Sequence, residues 1–176
     1  MKKIFSLAVV ALLAFGATAQ TAETDKKTTL PSVTIKDMTG KPFNVATLNN
    51  NGKPMIINFW ATWCKPCLME LQAINDVYAD WQTETGVKLV AVSLDDSRTS
   101  SKVPSVVNGK GWTYEVLVDD NGDLKRAMNV NNPPHTFVLN GKGEIVYQHN
   151  SYAPGDEYAL YEMIKKLTAE AEGAAK

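Results

Sequence analysis

Only two of the 176 residues are cysteine and only two are histidine. Two thiols cannot build a four-thiolate metal site, nor a small secreted scaffold stapled by several disulfides. A mixed thiolate–imidazole site would need both His135 and His149, and their spacing matches no common zinc finger. Charge of one sign is missing too. Eighteen basic residues stand against 19 acidic ones, the formal charge is −1, and no basic stripe is present, which excludes nucleic acid as a partner. The apolar run from Ile4 to Phe15 is too short to make a stable membrane span. No internal repeat is visible.

What is present begins with a leader. Lys2 and Lys3 precede the apolar run, and Ala17-Thr18-Ala19 supplies small residues at a cleavage site, the pattern of a secretory signal peptide over residues 1–19. Cleavage after Ala19 removes two lysines and no acid, taking the charge from −1 to −3. An uncleaved N-terminal anchor is the alternative. Residues 20–30 are polar and aperiodic, the signature of a disordered leader. Residues 31–170 suffice for one domain with one core, and 171–176 form a small, polar tail expected to be flexible. The expected location is the periplasm. In that oxidising space two cysteines in a single motif imply one exchangeable disulfide.

Both cysteines lie in Trp63-Cys64-Lys65-Pro66-Cys67. A bond across two intervening residues closes almost no loop and restricts the unfolded chain little, so the pair is reactive rather than structural. Met55 to Trp60 is apolar at nearly every residue, the mark of a strand buried on both faces. After the motif, Cys67, Leu71, Ile74, Tyr78 and Trp81 recur at four-three-four-three spacing, predicting a helix from about Lys65 to Trp81 that Gly86 ends. Pro66 falls in its first turn, where a missing N–H costs nothing. Glu70, on this spacing, belongs to the solvated face. Further strands are expected at 32–36, 43–48, 87–94, 114–118, 136–139 and 144–149. Short helices are expected after Ser97 and over 123–128, and a last helix is capped by Asp156. This order gives an α/β fold, parallel units with an antiparallel edge and helices on both faces of a mixed sheet.

Phe59-Trp60-Ala61-Thr62-Trp63-Cys64-Lys65-Pro66-Cys67 resembles the active-site segment of thioredoxin-like proteins. Pro133-Pro134-His135-Thr136-Phe137-Val138 resembles their cis-proline segment, with Pro134 at the proline. The pieces between Leu30 and Leu48, and the stretch from Ser93 to Gly111, are similar to the exported TlpA/ResA-like branch. The resemblance covers about residues 30 to 168 and implies a thioredoxin fold with an N-terminal β extension. It implies an electron-carrying disulfide between Cys64 and Cys67, no bound cofactor, and no metal. The partners it implies are secreted protein thiols and disulfides, apocytochrome thiols among them, with a membrane thiol reductase as electron donor; a monomer is expected. Two departures stand out. Asn58 replaces the buried acid of cytoplasmic thioredoxins. Pro133, before the cis-proline, has no N–H to offer a docked substrate strand.

Disulfide exchange needs a thiolate attacker and a second thiol in reach. Cys64 precedes the helix, whose free N–H groups and positive dipole end favour its thiolate, so it is the expected attacker. Cys67, one turn in on the buried stripe, is the expected resolver. Lys65 places a cation beside the thiolate, and Trp63, at the strand-to-helix turn, is a platform or lid for a partner. Trp60 reads as core, His135 as a hydrogen-bonded structural residue and His149 as surface. Asp95 and Asp96 follow a buried strand at the sheet end where loops form the site. Because Asn58 cannot act as a base, Asp96 is the expected base for Cys67; the resemblance points to it as well. A copper- or haem-handling module of the same fold is the alternative function. The N-terminal pieces also resemble peroxiredoxins, but Ala61 stands where those place a threonine or serine before a lone attacking cysteine, and a resolver lies at Cys67, so a peroxidase is disfavoured.

Overall fold

The computed structural model describes residues 28–174; the expected signal peptide and the first part of the leader lie outside the described residues. Seven strands form one mixed sheet: β1 Thr34–Asp37, β2 Pro42–Asn44, β3 Met55–Trp60, β4 Lys88–Ser93, β5 Glu115–Val118, β6 His135–Leu139 and β7 Ile145–Asn150. Four helices accompany them, α1 Lys65–Thr85, α2 Val103–Lys110, α3 Asp123–Ala127 and α4 Asp156–Ala174. The sheet order is β2-β1-β5-β4-β3-β6-β7. β3, β4 and β5 run parallel, while β6, β7, β1 and β2 pair antiparallel on the two flanks. All six residues of β3 are buried, as its unbroken apolar run requires of a central strand covered on both sides.

Alternation along β3 sorts the core into two layers. Ile56 and Trp60 face α1, α2 and α4, where they meet Leu71, Ile74, Val103, Leu160 and Ile164. Met55, Ile57 and Phe59 face the other way, toward Val45, Leu124, Phe137 and Leu139. Trp60 meets Trp112 edge to face with centroids 5.0 Å apart. The whole predicted stripe of α1 is buried, and the helix runs one turn beyond its expected end to Thr85. Gly86 stops it in the left-handed region at φ 64°.

Several boundaries differ from the sequence reading. Residues 28 and 29 belong to the expected leader, yet Thr29 bridges Glu144 and the Thr28 carbonyl accepts the Ile145 N–H at 2.8 Å. The second extended piece stops at Asn44, because the Asn44 side chain accepts from the Ala46 N–H and turns the chain into a 3-10 turn. Ser97 caps nothing; a 3-10 turn at 100–102 leads into α2 instead. The last helix continues to Ala174, into the expected tail. Gly141 has a local reason: a Cβ there would lie 2.0 Å from the Gly52 carbonyl oxygen, so two turns pass each other at the end of the sheet.

Candidate active site

β3 delivers Trp60 to the end of the sheet, and the next residues turn into α1. That turn is tied down by Asp95. Its carboxylate accepts the Thr62 N–H at 2.8 Å, the Thr62 hydroxyl at 2.6 Å and the Ser93 hydroxyl at 2.8 Å. Asp95 is completely buried. It lies in the loop after β4, beside the loop after β3, where the carboxyl ends of parallel strands meet.

Cys64 is the N-cap of α1 and is joined to Cys67 by a disulfide, with Cα atoms 5.3 Å apart. Its Sγ accepts the Cys67 N–H at 3.3 Å. The amide dipoles that would favour a Cys64 thiolate therefore already point at the sulfur. Cys64 is 6% exposed and Cys67 not at all. Lys65 and Pro66 are exposed beside them, and Trp63 is 63% exposed at the rim. The Pro133–Pro134 peptide is cis, Pro134 is buried, and Pro133 is half-buried. His135 stacks on Phe137 and its Nε2 lies 3.3 Å from the Gln148 amide oxygen, a structural histidine.

Asp96 does not have the properties expected of a base. Its side chain is open to solvent and bound by Arg98, with Arg98 Nη2 2.5 Å and Nε 2.9 Å from one carboxylate oxygen. Those bonds hold its pKa below the ordinary carboxylate value. The reason is strand parity. Ser93 and Asp95 both turn inward as β4 ends, and Asp96 turns out.

The buried carboxyl at this site is Glu70, which the sequence reading assigned to the solvated face. It is 2% exposed. Its Oε1 accepts the Thr136 hydroxyl at 2.9 Å, and Thr136 in turn accepts the Asn58 side-chain N–H at 2.8 Å. Burial, the largest influence, pushes the Glu70 pKa up to about 7, against the opposing bonds from Thr136 and Asn58. Glu70 is one helical turn beyond Cys67, on the same side of α1. His149, read as surface, also lies here, its Nε2 3.7 Å from Glu70 Oε1. A signal for Glu70 was in the sequence: Cys67, Glu70, Leu71 and Ile74 follow the i, i+3, i+4, i+7 pattern of one helix face.

Among the described residues no group of three or more His, Cys, Asp or Glu is placed to hold a metal ion, and no helix is long and apolar enough to cross a membrane. The two sulfurs are the groups that could bind a thiophilic ion, and only when reduced.

A mixed sheet with a Cys-x-x-Cys pair opening its first long helix, and a cis-proline just before the strand that pairs with β3, defines a thioredoxin-like protein. The comparisons agree. The AhpC/TSA family matches residues 27–148, and the chain belongs to that family. It is 32% identical over 168 residues to the thiol:disulfide interchange protein DsbE of Tatumella citrea, covering 84% of this chain and 85% of that one. It is 39% identical over 94 residues to the thiol-disulfide oxidoreductase ResA of Oceanobacillus iheyensis, which covers 53% of this chain but only 47% of that relative, about half its length. Among solved structures, a thioredoxin-like protein from Porphyromonas gingivalis superposes with a TM-score of 0.72 at 52% identity, covering 80% of this chain and 92% of that one. The protein is a thiol-disulfide oxidoreductase with Cys64 and Cys67 as its cysteine pair.

Proposed function

We propose that the protein works outside the cytoplasm as a disulfide reductase for secreted protein thiols and disulfides, apocytochrome thiols among them. A membrane thiol reductase recharges it, it acts as a monomer, and it carries no cofactor. The observation that carries this reading is the asymmetry of the pair. Cys64 reaches the surface at a helix N-terminus, whereas Cys67 is sealed one turn from a buried carboxyl. The names of the ResA and DsbE relatives support the chemistry, and the leader at residues 1–19 supports the location.

In this reading the Cys64 thiolate attacks a substrate disulfide and one substrate thiolate leaves. Trp63 and the Pro133–Pro134 segment flank the docked chain, and Lys65 adds a cation beside the thiolate. Cys67 then gives its proton to the Glu70 carboxylate, and its thiolate attacks Cys64 Sγ. The second substrate thiolate leaves, and the protein is left as the disulfide with Glu70 protonated. A carboxyl with a pKa near 7 is matched to this duty at neutral pH.

Expression of Cys67→Ser should trap substrates on Cys64 as stable mixed disulfides in the exported fraction, visible on non-reducing gels. Cys64→Ser should trap almost none. Equal trapping by the two variants refutes the attacker assignment, and recovery only from the cytoplasm refutes the location. A reduction potential near about −270 mV supports the reducing direction, and one near about −120 mV reverses it.

A further inference from the structure

The Glu70 site continues beyond Glu70. Asn58 lies opposite Thr136 across β3 and β6, and Thr136 lies opposite His149 across β6 and β7. Directly opposed residues share a face, so these three form a polar row across the sheet. They lie on the α1 and α4 side, the side of Ile56, Trp60 and Val138. A polar row is unexpected in that layer. Its inner members are bonded to one another, since Asn58 donates to Thr136 and Thr136 donates to Glu70, with only Asn58 Oδ1 left over. Its outer member is not. Both ring nitrogens of His149 are buried without a hydrogen-bond partner, and so is Glu70 Oε2. A half-buried imidazole whose two nitrogens are covered and a buried carboxyl, both with unmet hydrogen-bonding capacity and placed side by side, are costly unless the pair has a use. Phenylalanine at 149 would avoid that cost. The same histidine lines an open cleft of about 240 Å³ between β7 and α4, together with Tyr147, Asp156, Leu160 and Met163.

We propose that His149 is the proton partner of Glu70, a positioning residue that sets when the carboxyl is charged and passes its proton toward the cleft. The proposal rests on the reading of Glu70 as the base for Cys67. With its own proton on Nδ1, His149 presents the Nε2 lone pair to Glu70. A closure of about 0.7 Å brings the 3.7 Å separation into hydrogen-bond range. After Cys67 has lost its proton to Glu70, the Glu70 O–H bond breaks and an N–H bond forms at His149 Nε2. The imidazolium then releases a proton to cleft water as the ring turns. No electrons move in this step, and Glu70 is returned as carboxylate.

The charged and titratable groups facing the pair are Asp156 and Glu157 at the start of α4, Tyr152 in the loop before it and Tyr114 ahead of β5, while His135 acts on His149 from the other face of β6. Asp156 and Glu157 raise the proton affinity of Glu70. For His149, burial and His135 lower the proton affinity and Asp156 raises it, with burial the largest influence, so the ring is neutral at neutral pH and free to accept.

The test uses the full mature protein with a mixed disulfide preformed between Cys64 and an aromatic thiol. Release of that thiol by Cys67 is followed across pH in wild type, His149→Phe, His149→Gln and Glu70→Gln. Both histidine variants should move the midpoint of the Cys67 step down by about one pH unit, because the protonated carboxyl loses its acceptor, and slow the step about tenfold at neutral pH because the proton has no onward route. Attack by Cys64 on a fresh disulfide should be unchanged. Glutamine can donate to Glu70 but cannot take its proton, so it should not rescue. In the wild type, the His149 ring signals in NMR should titrate together with Glu70, and Glu70→Gln should change that curve; this readout needs no histidine variant to fold. If both histidine variants keep the wild-type midpoint while Glu70→Gln loses the step, His149 only packs and the Glu70 reading survives. If Glu70→Gln itself keeps the wild-type profile, both readings fall.

Discussion

The two faces of the sheet use neighbouring residues of the same strands for opposite purposes. On the face toward α3, Ile57, Phe59, Phe137 and Leu139 are buried and apolar. On the face toward α1 and α4, the intervening positions are Asn58, Thr136 and His149, with Glu70 lying over them from the helix. The first face is what a stable layer requires. The second keeps a carboxyl, an amide, a hydroxyl and an imidazole where hydrocarbon would pack better. Polar groups are retained against that cost on the face that carries the cysteines, and the other face shows how the same strands pack without them.

If the α3 face is there for stability alone, damaging it should leave the chemistry intact. Phe59→Ala removes a fully buried ring that meets Phe137 edge to face at 5.9 Å. It should cost about 3–5 kcal/mol in urea unfolding, while the folded fraction exchanges disulfides at the wild-type rate. A large loss of rate in the folded fraction would blur the division between the faces.

The polar face should show its cost through pH. The Glu70 pKa is raised from 4.5 to about 7 on folding, so the folded protein holds that proton more tightly than the unfolded chain. The resulting stability is fully present below pH 4.5 and is lost as pH rises through about 7, a change of about 3 kcal/mol. Glu70→Gln removes this contribution. Measured against wild type by urea unfolding, the variant should therefore gain in relative stability between pH 4.5 and 8. A constant difference across that range would show that Glu70 is not perturbed by burial.

A smaller contrast separates the adjacent acids after β4. Asp95→Ala leaves the buried Thr62 and Ser93 donors unpaired and should cost about 2–3 kcal/mol. Asp96→Asn touches an exposed pair with Arg98 and should change stability and rate by less than about 0.5 kcal/mol. The reverse ranking would return Asp96 to the site.

The contrast between the faces also explains what the sequence could and could not reveal. The apolar run of β3, the Cys-x-x-Cys motif and the α1 stripe were legible because each is a local pattern with its own physical cause. The thioredoxin-like arrangement followed from strand and helix order together with the two motifs. Glu70 was hidden although it falls within the stripe of Cys67, Leu71 and Ile74, because acids near a helix start usually face water. What buries it is Thr136, 66 residues away on β6. His149 had the same problem, since β7 is an edge strand and only α4, folded back across it, covers that position. Asp95 and Asp96 differ by one residue of strand parity, which the sequence leaves open wherever the strand end is uncertain.

The central claim is that Glu70 takes the proton of Cys67 in the resolving step. Single-turnover release from a preformed Cys64 mixed disulfide, measured from pH 5 to 9 in wild type and Glu70→Gln, tests it most directly. Wild type should rise with pH through a midpoint near 7, set by Glu70. The variant should lose that rise and run about a hundredfold slower at neutral pH, with attack by Cys64 on a fresh disulfide unchanged. A variant that keeps both the wild-type midpoint and the wild-type rate would contradict the claim and leave Glu70 a buried acid without a part in the exchange.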